Sequence, residues 1–133
     1  MSLTDTNKVI QAYLLTCGTL TDLVDVRIHC PRLPEKATLP AVSFFTRGGL
    51  STPYIPGIVN PSVQFDCWAA NPIDAREVYC ALYDGLQGIQ NVTVDSYLIM
   101  SAIEEVQGQD LVDVEIPNYF RVLTFFNIMI RAE

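Results

Sequence analysis

Apolar residues recur at helical spacing in two stretches of the chain. The first stretch runs from Asp5 to Cys17, and Gly18 is placed to end this helix in a left-handed cap. The second stretch opens at Asn71, whose side chain suits the N-cap, and a proline follows at the first helical position. Its apolar stripe continues to Gly88. The pattern therefore predicts two principal helices.

Most of the remaining apolar residues alternate with polar ones or are β-branched and aromatic, which is typical of strands. The clearest alternation places Val63, Phe65 and Cys67 on one side of a strand and their neighbours on the other. A short helical turn is predicted at Leu20–Val24, and strands at Val26–Cys30, Ala41–Arg47, Val63–Ala69, Val92–Val94, Tyr97–Val106 and Tyr119–Ile130.

Glycine, proline and acidic residues predict where the strands end. The pair Gly48 and Gly49 is expected to end the strand before it, because glycine adopts backbone conformations that other residues avoid. The next stretch, Leu50–Pro61, contains three prolines and is predicted to be a long hairpin loop, a kind of segment that is often functional. The acidic stretch Gln107–Asn118 is expected to be an exposed connection.

The order of helix, strands, helix, strands with short connections predicts an α+β fold. We expect a single domain over residues 1–133, with a mainly antiparallel sheet and two principal helices packed on one of its faces. A chain of 133 residues is long enough to bury a core without disulfides. No internal repeat or linker divides it.

The chain is acidic, with a formal net charge of -7 at pH 7. This charge argues against binding nucleic acid through its phosphates, since such binding depends on Lys and Arg. No Lys or Arg lies between Arg76 and Arg121. A solvated surface and a selected negative field both explain this interval. Its acidic residues are Glu77, Asp84, Asp95, Glu104, Glu105, Asp110, Asp113 and Glu115.

The chain is also rich in apolar residues, with 50% of its residues hydrophobic and 17% charged. Because a small monomer needs less apolar surface than this, we expect the chain to self-associate. Aromatic side chains supply large contact areas in interfaces. The interface candidates are Trp68, for which core packing is the alternative, and Tyr54, Ile55 and Ile58 of the predicted hairpin loop.

The sequence pattern does not bring together the side chains that catalysis requires, namely a nucleophile with a base, or two carboxylates. His29 is the only histidine, and Cys30 beside it would point to the opposite face of a strand, so no nucleophile and base are expected to meet there. The side chains of Glu104 and Glu105 diverge for the same reason, whereas acid and base catalysis on one substrate needs them to converge. We therefore expect a protein that is not an enzyme.

Metal-binding patterns are missing as well. Asp110, Asp113 and Glu115 lack the alternation and the central glycine of a calcium-binding loop. The cysteines at positions 17, 30, 67 and 80 are not spaced for zinc, and we expect all four to be reduced and buried. We expect no metal and no cofactor. No signal peptide or membrane span is expected either, since Asp5 and Lys8 interrupt the first turns.

The order of the elements and several segments together resemble the tail completion proteins of long-tailed phages and prophages, which include tail terminators and tail-to-head joining proteins. The resemblance covers nearly the whole chain and is carried by hydrophobic pattern rather than by a chemical motif. The segments are LPAVSF at 39–44, VQFDCWA at 63–69, DAR at the helix start 74–76 and YFRVL at 119–123.

The resemblance implies a structural subunit that forms a hexameric ring at the head-proximal end of the tail tube. Such a ring stops tube polymerisation and docks to the head connector, so the implied partners are further copies of the chain, the tail tube protein and the connector protein. Assembly would take place in the host cytoplasm, and the protein would end in the virion tail. The family offers no catalytic residues.

A ring on the tail tube would surround the path of the DNA without gripping it. The interval without Lys or Arg would repel phosphates if it lined this channel. The lumen candidates are Glu104, Glu105, Asp110, Asp113 and Glu115. The alternative function is that of a regulatory α+β domain that binds a small molecule, with the proline-rich loop closing over the ligand.

Overall fold

The computed structural model describes residues 6–30, 33, 38–50, 58–94, 96–112 and 119–132. None of the helices in these ranges is long and apolar enough to cross a membrane. The elements are α1 (Thr6–Leu14), α2 (Gly18–Val24), β1 (Ile28–His29), β2 (Ala41–Leu50), β3 (Ile58–Ala69), α3 (Pro72–Leu86), β4 (Gln90–Val94), β5 (Tyr97–Val112) and β6 (Phe120–Ala132).

The strands form a six-stranded sheet in the order β1-β2-β3-β6-β5-β4. The short strand β1 is parallel to β2, and the other neighbouring pairs are antiparallel. The central strands β3 and β6 pair along most of their length, with Phe65 opposite Thr124. The predicted α+β class and the mainly antiparallel sheet are confirmed.

One face of the sheet carries the hydrophobic core. The rings of Phe44, Phe65 and Phe126 come from three neighbouring strands, are fully buried, and lie with adjacent centroids 5.7 Å apart. Burying a side chain of this size stabilises the fold by roughly 1.5–3 kcal/mol. The principal helices α1 and α3 cover this face, as predicted. The buried residues of α3 are Ala75, Val78, Tyr79, Ala81, Leu82 and Leu86.

The start of α3 follows the sequence prediction, whereas the end of α1 does not. The side chain of Asn71 accepts a hydrogen bond of 2.9 Å from the backbone N–H of Asp74, which satisfies a free donor of the first turn. Gly18 does not cap α1 but begins α2. The chain leaves α1 through a tight turn in which the N–H of Thr16 bonds to the carbonyl of Tyr13, so no left-handed residue is needed.

The predicted end of β2 at the glycine pair is wrong. The strand continues through Gly48 and Gly49 to Leu50, and its register with β3 shifts between Thr46 and Gly49. Gly48 has a φ of 104°, a conformation that lets a strand absorb an extra residue as a bulge. The pair therefore bends β2 rather than ending it.

The two predicted connections are also shorter than the sequence pattern indicates. Strand β3 begins at Ile58, so the predicted loop Leu50–Pro61 contains strand residues at both ends, and positions 51–57 lie outside the described residues. Strand β5 continues to Val112 and takes in the first half of the predicted connection Gln107–Asn118. Ladder pairing with β6 orders this polar stretch, although its side chains are largely exposed.

Candidate interaction surfaces

The second face of the sheet is not covered by any described element, and we call it the open face. Side chains alternate between the faces along each strand, so the neighbours of the core residues on β2, β3 and β6 point to the open face. Many of these side chains are only half-buried. The open face includes Ser43, Phe45, Arg47, Ser62, Gln64, Asp66, Trp68, Arg121, Leu123, Phe125, Asn127, Met129 and Arg131, together with Ile58 of β3 and Ile103 of β5, which lie opposite Arg131 and Asn127.

A cluster around Trp68 organises one end of the open face. The indole Nε1 of Trp68 donates a hydrogen bond of 2.9 Å to the hydroxyl of Ser43, which is itself buried. The rings of Trp68 and Tyr119 pack edge to face with their centroids 6.3 Å apart, and the guanidinium of Arg121 lies over the Trp68 ring, 5.3 Å from its centroid. Trp68 is therefore a fixed, half-buried part of this surface.

Asp66 lies beneath Arg121 in the same cluster and is only 5% exposed. Its Oδ1 is 3.5 Å from Nη1 of Arg121, an ion pair without a hydrogen bond, so this buried oxygen has no hydrogen-bond partner. Burial raises the pKa of the Asp66 carboxyl, and Arg121 and the side chain of Gln64 oppose this shift. The carboxylate is held where its charge is poorly solvated.

Arg47 is a second positive charge on the open face, and its side chain is held in place by two contacts. Its guanidinium lies 4.0 Å from the centroid of the Phe125 ring, and its Nε donates a hydrogen bond of 3.0 Å to the hydroxyl of Ser62. Arg131, further along β6, is exposed. Among the open-face residues of β2, β3 and β6, three are therefore arginines and one, Asp66, is a carboxylate.

On the helix-covered side, a polar network joins α3 to β5. The hydroxyl of Tyr79 donates to Oε2 of Glu104 at 2.7 Å and accepts from the N–H of Gly108 at 3.1 Å. The hydroxyl of Thr124 lies 2.7 Å from the same Glu104 oxygen and 2.8 Å from the carbonyl of Val106. Burial, followed by the bond to Glu104, raises the pKa of Tyr79 to about 12, so this hydroxyl stays protonated and donates.

The network depends on irregularities in β5. The register of β5 with β6 shifts between Glu104 and Val106 and again between Val106 and Gln109. These bulges bring Gly108 against the ring of Tyr79, where a Cβ on Gly108 would lie 2.6 Å from the ring atom Cζ. Only glycine fits this close approach, since real Cβ atoms essentially never come within 3.0 Å of another atom.

Two concave regions adjoin the outer side of α3. A cleft of about 230 Å³ is lined by α3 residues and by Glu104 and Gln107 of β5. A shallower concavity of about 550 Å³ lies next to it, and Cys80 lines both. The outer wall of the concavity is held by Arg76, which pairs with Asp110 at 3.5 Å and donates to the carbonyl of Gly108 at 3.2 Å.

The outer side of α3 presents a row of exposed side chains that we call the α3 stripe. Its members are spaced four, three and four residues apart, so they share one side of the helix, away from its buried residues. Ile73 at one end of the row is 80% exposed. The exposure of Cys80 contradicts the prediction that all four cysteines are buried, because Cys80 lies on the wrong side of α3. The stripe consists of Ile73, Glu77, Cys80 and Asp84.

The interface candidates from the sequence are only partly brought together. Trp68 lies on the open face, and Ile58 is half-buried on β3 opposite Arg131. Tyr54 and Ile55 lie outside the described residues. Sequence reasoning missed the open-face arginines, although Arg121 and Arg131 lie an even number of positions apart on one strand and so share a face.

The acidic lumen candidates have different surroundings. Glu104 faces α3 and accepts a hydrogen bond from Tyr79, whereas Glu105 is exposed at the bulge of β5 between Glu104 and Val106. Asp110 is paired with Arg76. The remaining two candidates, Asp113 and Glu115, lie outside the described residues.

The described titratable side chains outside these surfaces do not converge on a site. His29 is half-buried on β1, where burial and then Arg27 lower the pKa of its imidazole. Within the described ranges, no group of three or more His, Cys, Asp or Glu side chains is placed to hold a metal ion. What the described side chains present is two surfaces of opposite charge.

Comparisons with known proteins bear on the fold. No protein-family model matches the chain, and no curated protein sequence matches it. Among solved structures, it is similar to a chain of the virion of a native gene transfer agent particle, with a TM-score of 0.63 and 15% sequence identity. The match covers 98% of this chain and 100% of that one. The chain therefore shares the complete fold of a protein from a virion particle.

Proposed function

We propose that this chain is a structural subunit of a phage-like virion, and that it forms a ring, in the expected hexameric form, at the head-proximal end of the tail tube. There it stops tube polymerisation and joins the tail to the head connector. The observation that carries the proposal is the similarity, over nearly the full length of both chains, to a chain of a gene transfer agent virion. The resemblance of the sequence to tail completion proteins supports the same role.

The surfaces of the domain support an assembly role. The open face leaves Phe45, Leu123 and Phe125 half-buried, so contact with another protein would remove further apolar area from water. Isolated exposed apolar residues are common, but a continuous set rimmed by charged residues is typical of an interaction site. The polar network around Glu104 supports a structural use of that carboxylate, because two hydroxyl groups engage it.

The charge of the chain supports a ring through which DNA passes without specific binding. A net charge of -7 disfavours retention of phosphates in a channel. Among the described lumen candidates, Glu105 is the exposed residue without a resolved ion pair, and we propose that it faces the channel. Locating Glu105 on the outer wall of an assembled ring would contradict this assignment.

The competing hypothesis is a regulatory domain that binds a small molecule. The cleft of about 230 Å³ beside α3 is smaller than the roughly 300–1,000 Å³ of typical ligand sites, and the concavity next to it is shallow. A ligand-binding domain of this type is commonly a dimer. The mass of the protein in solution, or on the tail tube, therefore separates the two hypotheses.

Electron microscopy of tail tubes tests the proposal. Tubes polymerised from a tail tube protein of the same source are mixed with the purified protein, and an unrelated acidic protein serves as the control. We expect a ring at one end of each tube and an end to growth only with this chain. Tubes that stay uncapped and continue to lengthen would refute the assignment.

A further inference from the structure

We infer that the open face of the sheet binds the α3 stripe of a second copy of this chain, so that successive copies associate head to tail. The inference deepens the proposed function, on which it rests for the closure of such a row into a ring. The two surfaces themselves, and their opposite charges, follow from the described residues.

The two surfaces carry opposite charges. The open face presents Arg47, Arg121 and Arg131, and the single carboxylate among its described residues is buried beneath Arg121. The α3 stripe presents Glu77 and Asp84. Positive and negative patches that face each other steer association and fix its register.

The one positive charge of α3 does not neutralise the negative charge of the α3 stripe. Arg76 is the one cation of the helix, and it is directed sideways to Asp110 and to the carbonyl of Gly108 on β5. It therefore neutralises a carboxylate of its own subunit. Asp74, in the first turn of α3, adds a further negative charge near the stripe.

Both surfaces also contain apolar groups that a charged contact alone would not need. Ile73 is 80% exposed at one end of the stripe, and Tyr83 is 37% exposed beside it. On the open face, Phe45 and Leu123 are half-buried between the charged groups. Burial of these side chains would supply the nonpolar contribution to binding that charge pairing does not.

The arginines of the open face are already positioned for binding. The guanidinium of Arg47 rests on Phe125 and is held by Ser62, while that of Arg121 rests on Trp68. A guanidinium has five N–H donors, and for Arg47 the described hydrogen bonds use only Nε. Side chains fixed before contact lose less conformational entropy when they bind a carboxylate.

The position of the surfaces in the fold decides the type of association. The stripe lies on the outer side of the helix layer, and the open face lies on the opposite side of the sheet. One copy can therefore use both surfaces at once, each with a different neighbour. Contact between two different surfaces of the same chain generates rings or open filaments, whereas contact between two identical surfaces ends at a dimer.

A charge-swap series tests the inference on the full chain. The sheet variant combines Arg47→Glu with Arg131→Glu, and the helix variant combines Glu77→Lys with Asp84→Lys. Native mass spectrometry and sedimentation over a concentration series measure self-association. We expect each variant alone to shift the dissociation constant at least tenfold toward monomer, because each brings like charges together.

Two combinations then distinguish a specific contact from general damage. A chain that carries all four substitutions restores opposite charges and should associate again. A mixture of the two variants should also associate, with the two kinds of chain in equal numbers. The control Asp22→Lys reverses an exposed charge on α2, outside both surfaces, and should leave association unchanged. Failure of both combinations to associate, while the single variants are folded by circular dichroism, would overturn the inference.

Cross-linking provides a second measurement if free copies associate weakly. Cys80 lies in the stripe and is exposed, and Ile103 of β5, which lies opposite Asn127 of the open face, is 56% exposed. Under mild oxidation at high concentration, Ile103→Cys should give a ladder of disulfide-linked trimers and larger species, and Cys80→Ser in the same chain should abolish it. A product that stops at the dimer, or no product, would contradict head-to-tail contact between these surfaces.

The charge-swap variants also show which of the two ideas is wrong, the inferred contact surfaces or the proposed function, when their self-association and their capping of tail tubes are compared. If the wild-type chain caps tail tubes and both charge variants cap them equally well, the inferred surfaces are wrong and the function stands. If the wild-type chain leaves tubes uncapped but the charge variants lose self-association and regain it when combined, the surfaces are right and the tail role is wrong.

Discussion

The two faces of the sheet are made by the same strands but have different environments. On β6, Phe126 points to the helices and is fully buried, while Phe125 beside it points to the open face and is half-buried. Phe126 packs edge-on against Phe65, whereas Phe125 carries the guanidinium of Arg47. The helix-covered face is a core that stabilises the monomer. The open face combines apolar and charged groups in the way that interaction surfaces do.

The largest expected effect on stability comes from removing a buried ring on the helix-covered face. Phe126→Ala removes a fully buried ring and leaves a cavity, so we expect it to lower the free energy of unfolding by about 3–5 kcal/mol. Urea denaturation followed by circular dichroism measures this loss. The matched change, Phe125→Ala, should cost the monomer much less and should weaken self-association. Equal losses of stability at the two positions would show that the open face stabilises the monomer as much as the core does.

A smaller effect is expected at the bulged part of β5, next to the helix-covered face. Gly108→Ala would place a Cβ 2.6 Å from the ring of Tyr79, which cannot move freely because Glu104 and the N–H of residue 108 hold its hydroxyl. We expect a loss of about 1–3 kcal/mol in the free energy of unfolding, as in other overpacked sites.

Gly18→Ala is the control for this substitution. A Cβ on Gly18 would have no heavy atom within 4 Å, and the residue lies in α2 with ordinary backbone angles. Alanine favours the helix over glycine by up to about 1 kcal/mol, so this variant should be as stable as the wild type or more stable. If Gly108→Ala were equally harmless in thermal and urea denaturation, the close packing of Tyr79 on β5 would be wrong.

The sequence was sufficient for the helix-covered face because that face depends on regular periodicity. The alternation of Val63, Phe65 and Cys67 predicted β3, and the Asn71 cap predicted the start of α3. Burial of an apolar side chain every second or every third to fourth residue leaves a pattern that a single sequence displays.

The bulges and the charge of the open face do not produce a periodic pattern in the sequence. A glycine pair looks the same in sequence whether it ends a strand or forms a bulge, and at Gly48 the pairing of β2 with β3 decides the outcome. The polar composition of the second half of β5 indicated a loop, but its partner strand β6 orders it. The charge of the open face was hidden for a similar reason, because Arg47 and Arg121 come from distant strands.

The last prediction concerns the pH dependence of the open face and has the smallest expected effect. Asp66 is buried, and this burial raises its carboxyl pKa in the folded protein above the ordinary value of about 3.8. A raised pKa means that the folded state binds the proton more tightly than the unfolded state. The contribution of Asp66 to stability is therefore fully present below about pH 3.8 and is lost as the pH rises through the folded pKa.

Asp66→Asn keeps the size of the side chain but cannot ionise, so it should remove this dependence. The difference in unfolding free energy between the variant and the wild type should move in favour of the variant from pH 3.5 to pH 7, as measured by urea denaturation at each pH. Glu105→Asn, at an exposed carboxyl, serves as the control. A difference that moves in favour of the wild type over this range would mean that attraction to Arg121 outweighs the burial of Asp66. The open face would then hold its charges as a stable ion pair before any partner binds.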